Sequence, residues 1–81
     1  MSILNPMIIN EIRSDYQFAR NRIESFNESI EADMVSNLKE SDEEVRTHNE
    51  FVIEENRHMK IRLEGKAETL EQVAKLLEIN L

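Results

Sequence analysis

The chain has no cysteine, no tryptophan, one glycine and one proline in 81 residues. Without cysteine there is no disulfide to staple a small domain, and nothing argues for an oxidising compartment. With Gly65 as the only glycine, no glycine-rich phosphate loop can form, and no cysteine nucleophile exists. So few turn-forming residues favour a few long elements over many short strands. No apolar run exceeds three residues, so no membrane span is expected. No basic region followed by an apolar run opens the sequence, and Asn5-Pro6 interrupts its first apolar residues; the expectation is no secretory signal and a cytoplasmic location. Positive charge is scarce too. Ten lysines and arginines face seventeen acids, a net charge of −7, which disfavours direct nucleic-acid binding.

What the chain does have is a seam. Ile9, Ile12, Tyr16, Ala19, Ile23, Phe26 and Ile30 follow at alternating spacings of three and four. This is the unbroken a/d pattern of a helix that packs on another helix. Asn5 reads as its N-cap and Pro6 as its first residue, because the N–H that proline lacks would be unpaired there. Met1–Leu4 reads as a short apolar lead-in, and Met7 and Ile8 widen the apolar face. After Ile30 the apolar spacing changes to Met34 and Leu38, a stutter in the heptad. Ser25 with Glu28 matches a capping box, yet the seam crosses it without losing phase, so one helix over about 6–38 is expected.

Ser41 with Glu44 is a second capping box, and Asp42, Glu43 and Glu44 suit the positive end of a helix dipole. Gly65 can take the left-handed conformation that ends a helix, and Arg57, Lys60 and Arg62 suit its negative end. A helix over about 42–64 follows, with Val45, Val52 and Met59 repeating every seven residues on one face. The competing reading is a β-hairpin within 50–64. Phe51-Val52-Ile53 is a β-rich run, and Met59, Ile61 and Leu63 alternate with charged residues. Thr69 with Gln72 opens a third helix over about 69–79, whose stripe is Leu70, Val73, Ala74 and Leu77, with Asn80 fraying. At 1.5 Å per residue the three helices span about 50, 35 and 16 Å, so the two shorter ones fit antiparallel along the first. The expected fold is therefore a single all-α domain over 1–81, an antiparallel bundle built on one long helix, with an α+β fold containing the hairpin as the alternative. A domain this small buries roughly 60% of its unfolded surface. With part of the long seam left uncovered, a homodimer is the expected route to stability.

The acidity is uneven. Residues 23–56 hold eleven acids and two bases, a net of −9, while residues 1–22 and 57–81 each carry +1. Glu24, Glu28 and Glu31 share the helix face opposite the seam, and Asp42 and Glu43 lie in the interhelix acidic cluster. These read either as a solvated face with helix-start acids or as a surface that docks on a basic partner. Phe18 falls outside the strict seam; it either flanks the core or is an exposed aromatic anchor for a partner. His48 and His58 pair with Glu44 and Glu54 at i, i+4, but positions ten apart on a helix diverge by about 80°, so no metal or catalytic site is expected. Asn27-Glu28-Ser29 matches a glycosylation sequon, which is incidental if no secretory signal is present.

The expected function is that of a non-enzymatic protein-binding module without cofactor, a stoichiometric regulator or inhibitor working by helix packing on another protein. Its candidate contact residues are Phe18, Glu24, Glu28, Glu31, Asp42 and Glu43. The alternative is an acidic decoy, a nucleic-acid mimic that blocks a basic site on its partner. In general style, short acidic chains rich in isoleucine, asparagine and glutamate resemble accessory proteins of tailed phages, such as cytoplasmic lysis regulators and anti-restriction proteins. The likeness is compositional and attaches to no motif.

Overall fold

The computed structural model describes residues 5–81 as an antiparallel pair of long helices, α1 (Pro6–Leu38) and α2 (Glu43–Leu76). The lead-in expected at Met1–Leu4 lies outside the described residues. The pair forms a rod of 62 × 15 × 14 Å, and no strand occurs among the described residues. Among the described residues no helix is long and apolar enough to cross a membrane.

The bounds of α1 match those read from sequence, for the reason given there. The Asn5 side chain accepts a hydrogen bond of 2.8 Å from the Met7 N–H, and Pro6 follows at the first position. The Ser25–Glu28 capping box goes unused, and the helix passes straight through it. Ala19, Ile23 and Ile30 are buried, and Ile9, Ile12, Tyr16 and Phe26 are half-buried beside them. The stutter, however, does not occur. Met34 is 44% exposed and Leu38 is 85% exposed, while Asp33 and Asn37 are half-buried. The three–four alternation simply continues from Ile30 through Asp33 to Asn37, with polar residues in place of apolar ones.

The second half of the chain corrects the three-helix expectation. The two helices expected over 42–64 and 69–79 are one continuous helix, Glu43–Leu76, and the alternative hairpin within 50–64 lies wholly inside it. Asp42, rather than Ser41, is the N-cap: its carboxylate accepts from the Glu44 and Val45 N–H groups at 2.9 and 3.3 Å. Gly65 does not end the helix. No glycine has positive φ, and the Thr69 hydroxyl, expected to cap a new helix, donates back to the Gly65 carbonyl at 3.0 Å. The left-handed residue that ends α2 is Glu78, at φ 57°. Around it the Ile79 N–H bonds the Ala74 carbonyl at 2.7 Å and the Glu78 N–H bonds that of Lys75 at 3.3 Å, the double bond pattern of a Schellman end.

The reason α2 continues is its own seam. Asn49, Ile53, Asn56, Lys60, Leu63, Ala67, Leu70, Ala74 and Leu77 are all buried or half-buried, again at alternating spacings of four and three. Three polar residues interrupt its apolar character, which hides it from a reading based on hydropathy. The Val45–Val52–Met59 repeat runs one position to the side of this seam, and Val45 and Met59 are exposed. A glycine inside a helix costs about 1 kcal/mol relative to alanine. Breaking there would uncouple Ala67, Leu70 and Ala74 from the register that buries them, a larger loss.

Ala19, Ile23 and Ala67 form the buried centre, with Tyr16 and Leu63 packed against it. Two alanines at the crossing let the backbones approach closely. The α1 seam expected to remain partly open is thus faced by α2 along its length, from the terminal end to the turn.

Candidate functional site

The two flanks of the seam differ, and the positions beside each seam residue decide how. On one flank polar side chains tie α1 to α2. The Tyr16 hydroxyl donates to a Glu71 carboxylate oxygen at 2.7 Å, and the Arg13 Nε donates to the Asn80 carbonyl at 2.7 Å. Asn80, beyond the end of α2, is thus contacted by α1. The Glu71 hydrogen bond, first, and loss of hydration, second, raise the Tyr16 phenol above its ordinary pKa of 10.0; Arg20 works against them. Further along, Lys60 Nζ donates to Asn27 Oδ1 at 2.9 Å and Asn49 Nδ2 to Asn37 Oδ1 at 3.1 Å. The Arg57 guanidinium lies 3.4 Å from the Met34 sulfur. At the turn end of this flank a shallow depression has Ile53, Met34 and Leu38 as its apolar lining and Arg46, Glu50 and Arg57 among its charged residues.

The other flank is apolar and open. Phe18, 62% exposed, lines a depression with Arg22, Phe26, Met59, Arg62 and Leu63. The Arg22 guanidinium lies over the Phe26 ring, 5.1 Å from its centroid, a cation–π arrangement that keeps the arginine stem flat on the apolar floor. Val52 and Val45 continue the strip toward the turn. Phe18 is thus an exposed aromatic rather than a flanking core residue, the second of the two roles its position allowed.

The acidic candidates fall elsewhere. Glu24, Glu28 and Glu31 are exposed on α1, on the face away from α2. Asp42 and Glu43 are exposed at the turn, but the Asp42 carboxylate is engaged with helix N–H groups and its own N–H is bonded to Glu40 Oε1 at 3.0 Å. The structure does not bring Phe18 together with any of the five acids. His58 lies 3.2 Å from Glu54, which also lies 3.8 Å from Arg57; all three are exposed. Among the described residues no three histidine or carboxylate side chains gather as metal ligands would.

The interhelix polar contacts Tyr16–Glu71, Asn27–Lys60 and Asn37–Asn49 were missed from sequence. Their signal was available: asparagine and lysine recur in heptad phase with Ile53 and Leu63, which on a helix places them at the interface. Comparison of the chain with family models, with curated proteins and with solved structures finds no match.

Proposed function

We propose that this chain is a non-enzymatic protein-binding module, a cytoplasmic stoichiometric regulator or inhibitor that engages a partner protein by helix packing. The observation that supports it is the open flank of Phe18, Phe26 and Met59. Aromatic and methionine side chains next to an arginine make up the composition enriched at interface centres. A partner helix laid in the shallow groove would cover this strip along its apolar face. The test is affinity capture from the native cell with wild-type protein and with Phe18→Ala. Loss of the captured partner at unchanged helix content and melting temperature supports the reading; undiminished capture by Phe18→Ala removes the flank from it.

A second reading, the acidic decoy, is favoured by a different observation. The turn half of the rod carries the net charge of −9, and Glu24, Glu28 and Glu31 lie exposed along it. A basic partner surface would be attracted to that end. Salt separates the two readings. Exposed charges are screened within about 10 Å at 0.1 M ionic strength, so decoy binding collapses between low and moderate salt while helix packing persists.

A further inference from the structure

The rod exposes more surface than a chain of its mass can keep bare cheaply. Its accessible surface is 6539 Å², against about 5,100 Å² for a compact monomer of 9.6 kDa. Its radius of gyration is 17.8 Å, against about 12 Å for a compact 81-residue domain. The excess of about 1,400 Å² exceeds the roughly 800 Å² that each partner buries in a standard interface. Among the described residues the largest buried side chains are three isoleucines, Ile23, Ile30 and Ile53; the other buried apolar residues there are alanines.

We propose that the Phe18–Phe26–Met59 flank is covered by the same flank of a second copy of this chain, running antiparallel, so that two hairpins close into a four-helix bundle. The proposal concerns the flank on which the binding-module reading rests, and names its occupant in the free protein. Two features of the rod select this arrangement. The first is position. Arg22 and Met59 lie at the midpoints of α1 and α2, so the apolar patch is centred on the rod. A two-fold axis crossing there aligns the helical stretches of the two copies, each about 50 Å long, without overhang. It sets Phe18 level with Phe26 of the second copy, aromatic against aromatic, and brings Glu55 within reach of Arg62 of the second copy.

The second feature is charge. Residues 23–56 form the turn half, with a net charge of −9, and the two remaining segments together form the other half, with +2. The antiparallel arrangement lays each acidic half against the other copy's mildly basic half. A parallel arrangement sets −9 beside −9, and like-charge juxtaposition disfavours it strongly.

The absence of cysteine makes the test direct, since every introduced thiol is unique. Sedimentation equilibrium of the full chain at micromolar concentration should give twice the 9.6 kDa chain mass. Phe18→Glu, at a site already exposed, should raise the dimer dissociation constant by roughly 30-fold or more, the scale of an aromatic hot spot. Phe51→Glu, exposed on the outer face of α2, should leave it unchanged. Orientation is read with a short bis-maleimide: Arg22→Cys, at the axis, should cross-link to its own copy, and Lys39→Cys, at the turn, should not. A monomer overturns the proposal whatever partner it captures, because the binding-module reading requires only that the flank be open. A dimer indifferent to Phe18→Glu overturns it as well, and so does self-cross-linking of Lys39→Cys, which marks a parallel pair.

Discussion

The terminal half and the turn half of the rod share one heptad register but are held together by different interactions. Toward the termini the interface is aliphatic: Ala19, Ile23, Ala67 and Ala74 are buried and Tyr16, Leu63 and Leu70 close around them. Toward the turn only Ile30 and Ile53 are buried; beside the half-buried Phe26, the other seam positions hold Asp33, Asn37, Asn49 and Asn56. Burial of apolar area contributes about 25 cal/mol per Å², so the terminal half carries most of the cohesion. The polar half contributes register: an Asn37–Asn49 pair bonds in one alignment and loses its hydrogen bond in any slipped one. The comparison teaches that a continuous helical interface can divide stability and specificity between its two ends.

The contrast is broken most severely by a charge in the apolar half. Ile23→Asp places a carboxylate in the buried cluster with Ala19 and Ala67, without a partner. The cost is several kcal/mol, comparable to the roughly 5 kcal/mol of total stability expected at this size, so the variant should be unfolded by circular dichroism at 25 °C. Cooperative melting near the wild-type temperature would show that the terminal half is not the cohesive one.

In the turn half the corresponding loss should be smaller. Asp42→Ala removes the cap that accepts from the Glu44 and Val45 N–H groups, at a cost of about 1 kcal/mol in urea unfolding. A loss as large as that of Ile23→Asp would make the turn, not the aliphatic seam, the centre of stability.

A gain tests why α2 is continuous. A Cβ built at Gly65 meets no atom within 4 Å, so Gly65→Ala should stabilise by about 0.5–1 kcal/mol through helix propensity. Glu78→Gly should stabilise by a similar amount, since a left-handed residue with a side chain is strained there. If Gly65→Ala destabilises, a bend at that position is part of the fold.

The smallest effect is electrostatic. The Tyr16 pKa is raised above 10.0 in the folded state by its bond to Glu71. The protonated phenol is therefore the form that the fold favours, and its contribution is fully present below pH 10 and lost as pH rises through the higher folded value. Tyr16→Phe should abolish that part of the alkaline decline in melting temperature while leaving the rest of the pH profile unchanged.

Much of this architecture was legible in the residues. Asn5 and Pro6 mark the start of α1 because capping is local chemistry, and the Ile9–Ile30 spacing marks its buried face because helical period is intrinsic to the backbone. The acidic imbalance of the middle of the chain was legible as well, as was the ambiguity of Phe18. Less legible were the places where local and long-range preferences disagree. Gly65 and the Thr69–Gln72 pair are valid helix-end signals, each worth about 1 kcal/mol, and both are overridden because α1 offers α2 a continuous template. Met34 and Leu38 are apolar yet exposed, since the register set by Ala19, Ile23 and Ala67 turns Asp33 and Asn37 inward instead.

The sequence by itself determined that the first helix runs from Pro6 to Leu38 and which stripe of it is buried from Ile9 to Ile30, because these follow from caps and periodicity within one segment. Only the tertiary structure decided that the second half is a single helix, that asparagines and a lysine occupy its seam, and that Phe18 stands open to solvent. Each of those depends on what lies opposite, and the free energy of docking 34 residues in register exceeds any local signal to stop.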